Sequence, residues 1–160
     1  MLISVPNGVM NMSPDFPGTV QTSLSLGVIK TGENRIGFSE FIRSSSSVRA
    51  RETADRVLET VRAFGGRAEE TGSFPGWEYR RDSVVRNRLA AVYRKLRGSE
   101  PRVEITHGGL EVGLLAGKLP GLDAVSVGPD LYDIHSVNEK VSVKSVASLY
   151  SLLTEYLAYR

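Results

Sequence analysis

The sequence predicts a mixed α/β (α+β) chain in two parts. The first is a small layer in the order β-β-α-β, and the second is a segment in which helices alternate with short strands. Three observations predict it: a strict polar–apolar alternation over 20–28, one apolar helical face over 50–64, and a change of pattern beyond Pro75-Gly76.

In "TVQTSLSLGVI", Val20, Thr22, Leu24, Leu26 and Val28 alternate with Gln21, Ser23, Ser25 and Gly27, the period-two pattern of a half-buried strand. "KTGEN" (30–34) is a Gly-containing turn, and "RIGFSEFIRS" (35–44) is the returning strand of a hairpin. The serine run 44–47 reads as a flexible linker or as a helix start. The helix is favoured because Ala50, Ala54, Val57, Leu58, Val61 and Phe64 then share one face, which Gly65-Gly66 terminates. "RAEETGSF" (67–74) is expected to be a third strand, ended by Pro75-Gly76. The order is that of an incomplete ferredoxin-like layer.

The composition changes at "PGWEYRRDS" (75–83), the candidate boundary between the two parts. Val85, Leu89, Val92 and Leu96 then mark a helix closed by Gly98. "RVEIT" (102–106) and "DAVSVG" (123–128) read as short strands, and "LEVGLLAG" (110–117) as a short helix between them. Residues 145–158 form a terminal helix with Val146, Leu149, Leu152, Leu153, Tyr156 and Leu157 expected inward. This alternation suggests parallel strands. With only two short strands in the second part, the architecture is unfinished: either the halves merge into one small domain, or the chain is the C-terminal part of a longer protein.

Composition narrows the function classes. A net charge of +2, with acidic residues interrupting the arginines between Arg35 and Arg102, argues against a nucleic-acid surface. The absence of cysteine excludes disulfides, thiolate catalysis and thiolate zinc sites, so a zinc ion would need His, Asp and Glu. No apolar run approaches the ~20 residues of a membrane span. The N-terminus lacks a basic stretch and breaks at Pro6-Asn7-Gly8, so no signal peptide is expected and the reading is a cytoplasmic protein.

Both histidines lie in Gly-marked loops after short apolar runs, where open α/β sheets gather functional groups. His135 in "GPDLYDIHSVNEK" stands among Asp130, Asp133 and Glu139; metal ligand, acid–base group and solvated loop histidine are all compatible with that setting. In "HGGLE", Gly108 and Gly109 after His107 would let a ligand approach the backbone, or simply make a tight turn. Glu111 also suits the first turn of a helix on dipole grounds alone. Arg43, at a strand end, could clamp a carboxylate with two parallel hydrogen bonds, and a surface arginine is the plainer alternative. Trp77 reads as a packing anchor or a substrate platform. Walker, G-x-S-x-G and H-E-x-x-H motifs are all missing.

Taken in order, "VPNGVM" (5–10), "FIRS" (41–44), "GSFPGW" (72–77), "ITHGGLEVGLL" (105–115), "LDAVSVGP" (122–129) and "HSVNEKVSVKSV" (135–146) resemble the aminoacyl-histidine dipeptidases. These are zinc metallopeptidases grouped with carnosinases and carboxypeptidase G, and they are about three times longer. The resemblance implies that residues 1–76 are the second half of a ferredoxin-like lid and dimerisation domain, and that 77–160 are the C-terminal segment of the catalytic α/β domain. It implies that His135 is a zinc ligand, that Arg43 grips the substrate's C-terminal carboxylate, and that His107, Gly108, Gly109 and Glu111 line the substrate pocket. Where the family's usual sequence is "HSPDE", this chain has "HSVNE", with Val137 and Asn138. The complete enzyme would hydrolyse Xaa-His and other dipeptides with two zinc ions and a glutamate base, and would form a homodimer through the lid sheet. The remaining ligands and the base fall outside the resemblance, so this chain alone is expected to be inactive. The alternative is a stand-alone dimerisation or binding module built from the lid.

Overall fold

The computed structural model of the chain describes residues 2–158; Met1, Tyr159 and Arg160 lie outside the described residues. After a short 3-10 turn (Leu2–Ser4), the elements are β1 (Gly8–Met12), β2 (Val20–Thr31), β3 (Ile36–Ser44), α1 (Ser47–Ala63), α2 (Val84–Arg97), α3 (Glu111–Lys118), β4 (Leu131–Tyr132), β5 (Lys140–Val141) and α4 (Val143–Ala158). The chain forms two compact units. One contains everything up to Tyr79 together with Glu104–Gly121, and the other contains Arg80–Val103 and everything after Gly121.

The first unit is built on an antiparallel sheet of order β1-β2-β3. The expected β2–β3 hairpin forms with Thr31 opposite Ile36, and its register shifts by one residue between Leu26 and Val28. An unbroken hairpin would set Leu24 against Arg43. The bulge at Gly27 instead sets Leu24 against Ile42 and Ser23 against Arg43. Thr22 and Leu24 are therefore buried on the face that receives α1, while Ser23 and Arg43 share the other face. A side chain at position 27 would run into the Phe41 ring, with Cβ only 2.8 Å from it. α1 starts at the serine run and buries Thr53 and Val61. It stops at the Gly-Gly pair in a Schellman arrangement: Gly65 has φ +74, and the Gly66 N–H reaches the Val61 carbonyl at 2.9 Å.

The β-β-α-β order is corrected. The third strand is Gly8–Met12, which pairs with β2 ahead of the hairpin, so three strands precede the helix. Residues 67–74 join no ladder. Glu70 in that stretch is held at 2.6 Å by Arg51 of α1 instead. A strand exists only where a neighbour accepts its backbone bonds, and strand-like composition does not supply the neighbour.

In the second unit, α2 runs as expected, with the Ser83 hydroxyl accepting from the Arg86 N–H at 3.0 Å and Gly98 closing the helix at φ +69. The expected strands 102–106 and 123–128 are not laddered, and every ladder among the described residues is antiparallel, including the two-residue β4–β5 pair. Asp123, placed by sequence in a strand, caps a helix: its Oδ2 accepts from the Val85 N–H at 3.0 Å, and Ser83 also bonds it. These bonds, the Ser83 contact first, hold its carboxyl below the usual carboxylate range. A depressed folded-state value means that the stabilisation is present above the unfolded-state pKa and is lost as pH falls through the folded-state one. Asp123→Asn is therefore expected to lower the thermal midpoint at neutral pH and to show a weaker loss of stability on acidification than the parent. Thermal unfolding followed by circular dichroism at several acidic pH values reads both.

α4 packs on α2 through one stripe. Among the described residues, Leu152 and the fully buried Val92 are the buried apolar side chains of this unit, Arg88 lies over the Tyr156 ring at 5.1 Å, Lys95 pairs with Glu155, and Arg97 donates to Ser148. Val146, Leu153 and Leu157, expected inward, are exposed, because a single neighbouring helix can cover only one stripe.

Candidate functional site

The sequence-derived site residues fall in both units. Arg43, His107, Gly108, Gly109 and Glu111 lie in the first, and His135 lies in the second.

In the first unit, Arg43 is an exposed side chain on β3, on the sheet face opposite α1, directly across from Ser23. His107 is half-buried and meets that same serine: its Nε2 lies 3.0 Å from Ser23 Oγ. Ser23 thus ties the His107 loop to the register position of Arg43. Sequence reasoning passed over Ser23. The signal was available in the alternation, which puts Ser23 and Ser25 on the face that the apolar residues avoid.

The His107 loop leads into α3, whose seat explains its glycines. Gly109, Gly113 and Gly117 recur every four residues and meet "FPGW" (74–77). A Cβ at Gly113 would stand 2.9 Å from the Pro75 carbonyl, and one at Gly109 would stand 3.2 Å from the Phe74 ring. Those glycines let the backbone of 74–77 lie against the helix. Trp77 is half-buried, with its Cβ 3.6 Å from where a Gly113 side chain would begin, which fits a packing anchor. Gly76 is locked from the other side. Its N–H donates to Ser47 Oγ at 3.3 Å, and an added Cβ would meet the Ser45 carbonyl at 2.7 Å and the Ser47 nitrogen at 2.9 Å. Gly76→Ala is therefore expected to destabilise the chain by about 1–3 kcal/mol, because backbone atoms must move to admit the methyl group. Urea unfolding measures the change.

Glu111 is exposed in the first turn of α3, where the helix dipole favours it. On the α1 side of the sheet, burial pushes the Glu40 carboxyl up, which favours its neutral form there.

In the second unit, His135 sits in an exposed loop between β4 and β5 with a left-handed backbone, φ +65, and Asp133 nearby has φ +53. Neither is glycine, and such conformations cost on the order of 1 kcal/mol or more each, so the loop must be held. The His135 N–H donates to Glu139 Oε2 at 3.1 Å, Ser136 Oγ donates to the Asp133 carbonyl at 2.7 Å, and Lys140 pairs with Asp133 at 3.3 Å. Glu139 thus fixes the backbone of His135 and leaves the exposed imidazole to project. Among the described residues, no cluster of three or more His, Asp or Glu side chains that could hold a metal ion is present.

No family model matches the chain. Among curated proteins, it is 33% identical over 157 residues to the cytosol non-specific dipeptidase of Escherichia coli strain K12, a match covering 98% of this chain and 32% of that protein. The crystal structure of the aminoacylhistidine dipeptidase from Vibrio alginolyticus superposes with a TM-score of 0.83 and 34% identity, covering 95% of this chain and 31% of that one. The chain is similar to one part of each of these two dipeptidases. It spans about a third of the length of the dipeptidases it matches. Its mixed α+β fold, with the three-stranded antiparallel sheet and four helices, is the fold of part of such an enzyme. Among the described residues, no helix is long and apolar enough to cross a membrane.

Proposed function

We propose that this chain supplies part of the active site of a zinc-dependent dipeptidase acting on Xaa-His and other dipeptides in the cytoplasm. The observation that carries the reading is coverage: nearly all of this chain, by sequence and by fold, corresponds to a third of two dipeptidases. In this reading, residues 1–76 form the second half of the lid and dimerisation domain, and 77–160 form the C-terminal segment of the catalytic domain.

Arg43 binds the C-terminal carboxylate of the dipeptide, for which its planar five-donor fork is suited. His107, hydrogen-bonded to Ser23, presents the Gly108–Gly109 backbone and Glu111 along the substrate. His135 is one zinc ligand, its backbone held by Glu139. These residues do not make a zinc site by themselves. Catalytic zinc takes three protein ligands, and the described residues bring no such group together. No catalytic step is therefore assigned to metal held by this chain, and its own work is to bind and orient the substrate and to contribute one ligand.

Purified chain supplied with zinc is expected to show no dipeptide hydrolysis above buffer. Robust turnover would overturn this reading.

The sheet favours a second reading, a dimerisation module. No further strand pairs with the outer edges of β1 or β3 among the described residues, and open edges invite a second chain. Both readings include a homodimer through this sheet, and a clean monomer by light scattering would count against it.

A further inference from the structure

The three strands of the first unit each place one residue in a single row on the sheet face away from α1. Val9 of β1 stands opposite Ser23 of β2, and Ser23 stands opposite Arg43 of β3. Residues directly opposite in antiparallel strands share a face, and two strand spacings separate the ends of the row by about 10 Å. One end is apolar, with Val9 55% exposed, and the other carries the exposed Arg43. The middle is polar, because the His107 ring reaches it with Nε2 at 3.0 Å from Ser23 Oγ. Among the described residues nothing bonds the other ring nitrogen, so Nδ1 of this half-buried imidazole is left for a ligand.

The Ser23 bond fixes what Nδ1 offers. If the hydroxyl donates to Nε2, Nδ1 carries the proton and donates; if the hydroxyl accepts from Nε2–H, Nδ1 accepts. A C-terminal histidine in the substrate suits either case, because a neutral imidazole holds one donor and one acceptor. The aliphatic side chain of leucine suits neither. Carboxylate and side chain branch from the same carbon of that residue, so a carboxylate on Arg43 keeps the side chain within reach of the row.

We infer that Ser23 is a positioning residue that locks His107 in one tautomer, and that His107 over the Val9–Ser23–Arg43 row is the subsite for the substrate's C-terminal side chain, where it selects histidine over leucine. This rests on the dipeptidase reading, with Arg43 on the carboxylate, and adds which part of the substrate His107 meets and what holds His107 there.

Ring-nitrogen NMR of the 160-residue chain, labelled with 15N in its two histidines, tests both halves. Without ligand, at a pH where imidazole is neutral, His107 should show one tautomer in the parent and in Ser23→Thr, and a mixture in Ser23→Ala. Titration with Ala-His should shift the His107 Nδ1 signal, and Ala-His should bind about fivefold more tightly than Ala-Leu. Ser23→Ala and His107→Phe should lose that preference, and Ser23→Thr should keep it. Circular dichroism checks that each variant is folded, and His107→Phe stands in for Ser23→Ala if the latter unfolds. Mixed tautomers in the parent overturn the inference, as does a preference that survives in folded Ser23→Ala or His107→Phe. Equal binding of both dipeptides by the parent also overturns it, and the carboxylate reading then stands if Arg43→Ala abolishes that binding. Binding of neither dipeptide overturns the substrate reading together with the subsite, and the tautomer measurement still decides the role of Ser23.

Discussion

In a chimera in which this chain replaces the matching 31% of the Vibrio alginolyticus dipeptidase, Arg43→Ala is expected to lower kcat/KM for dipeptides by about 100-fold, mainly through KM. In the proposed role the guanidinium makes charge-assisted hydrogen bonds to the substrate carboxylate in the ground state as well as in the transition state, so their loss would affect binding more than turnover. Arg43→Lys keeps the charge without the fork and should recover only part of the loss. Fold stability should change little, because Arg43 is exposed on the sheet face away from α1. A substrate analogue lacking the C-terminal carboxylate should erase the difference between parent and variant. Steady-state kinetics with both substrates checks this. An unchanged ratio for the carboxylate substrate would show that Arg43 does not touch it.

His135→Ala in the same chimera is expected to reduce turnover on the order of 1,000-fold and to lower bound zinc. Alanine at φ +65 carries strain of its own, so His135→Asn is the sharper variant. Asparagine tolerates the left-handed backbone and is a poor zinc ligand. Metal analysis of the purified protein together with the rate separates a lost ligand from a disturbed loop. Loss of activity at full zinc content would assign His135 a role other than ligation.

The legible parts of this chain were those written locally. α2 could be bounded from Ser83 and Gly98, α1 from its apolar face and Gly65-Gly66, and the β2–β3 hairpin from its alternation and turn. β1 was missed because "GVMNM" is too short and mixed to show a period. Residues 67–74, 102–106 and 123–128 have strand-like composition, but a ladder depends on a neighbour that no local pattern specifies. The same limit applies to the site. Arg43 and His107 could be singled out from their surroundings, whereas the Ser23 link joins residues 84 apart in sequence. It also depends on the bulge at Gly27, since one residue of slip would have set Leu24 opposite Arg43. Asp123 carries the same lesson, because its capping partner lies 38 residues upstream.

The rate of dipeptide hydrolysis by the unmutated chimera, assayed with and without zinc, tests most directly whether this chain supplies part of a dipeptidase site. If this chain supplies Arg43, the His107 loop and His135 to a dipeptidase site, the chimera hydrolyses dipeptides in a zinc-dependent manner. A chimera that folds and binds zinc but hydrolyses no dipeptide would contradict it.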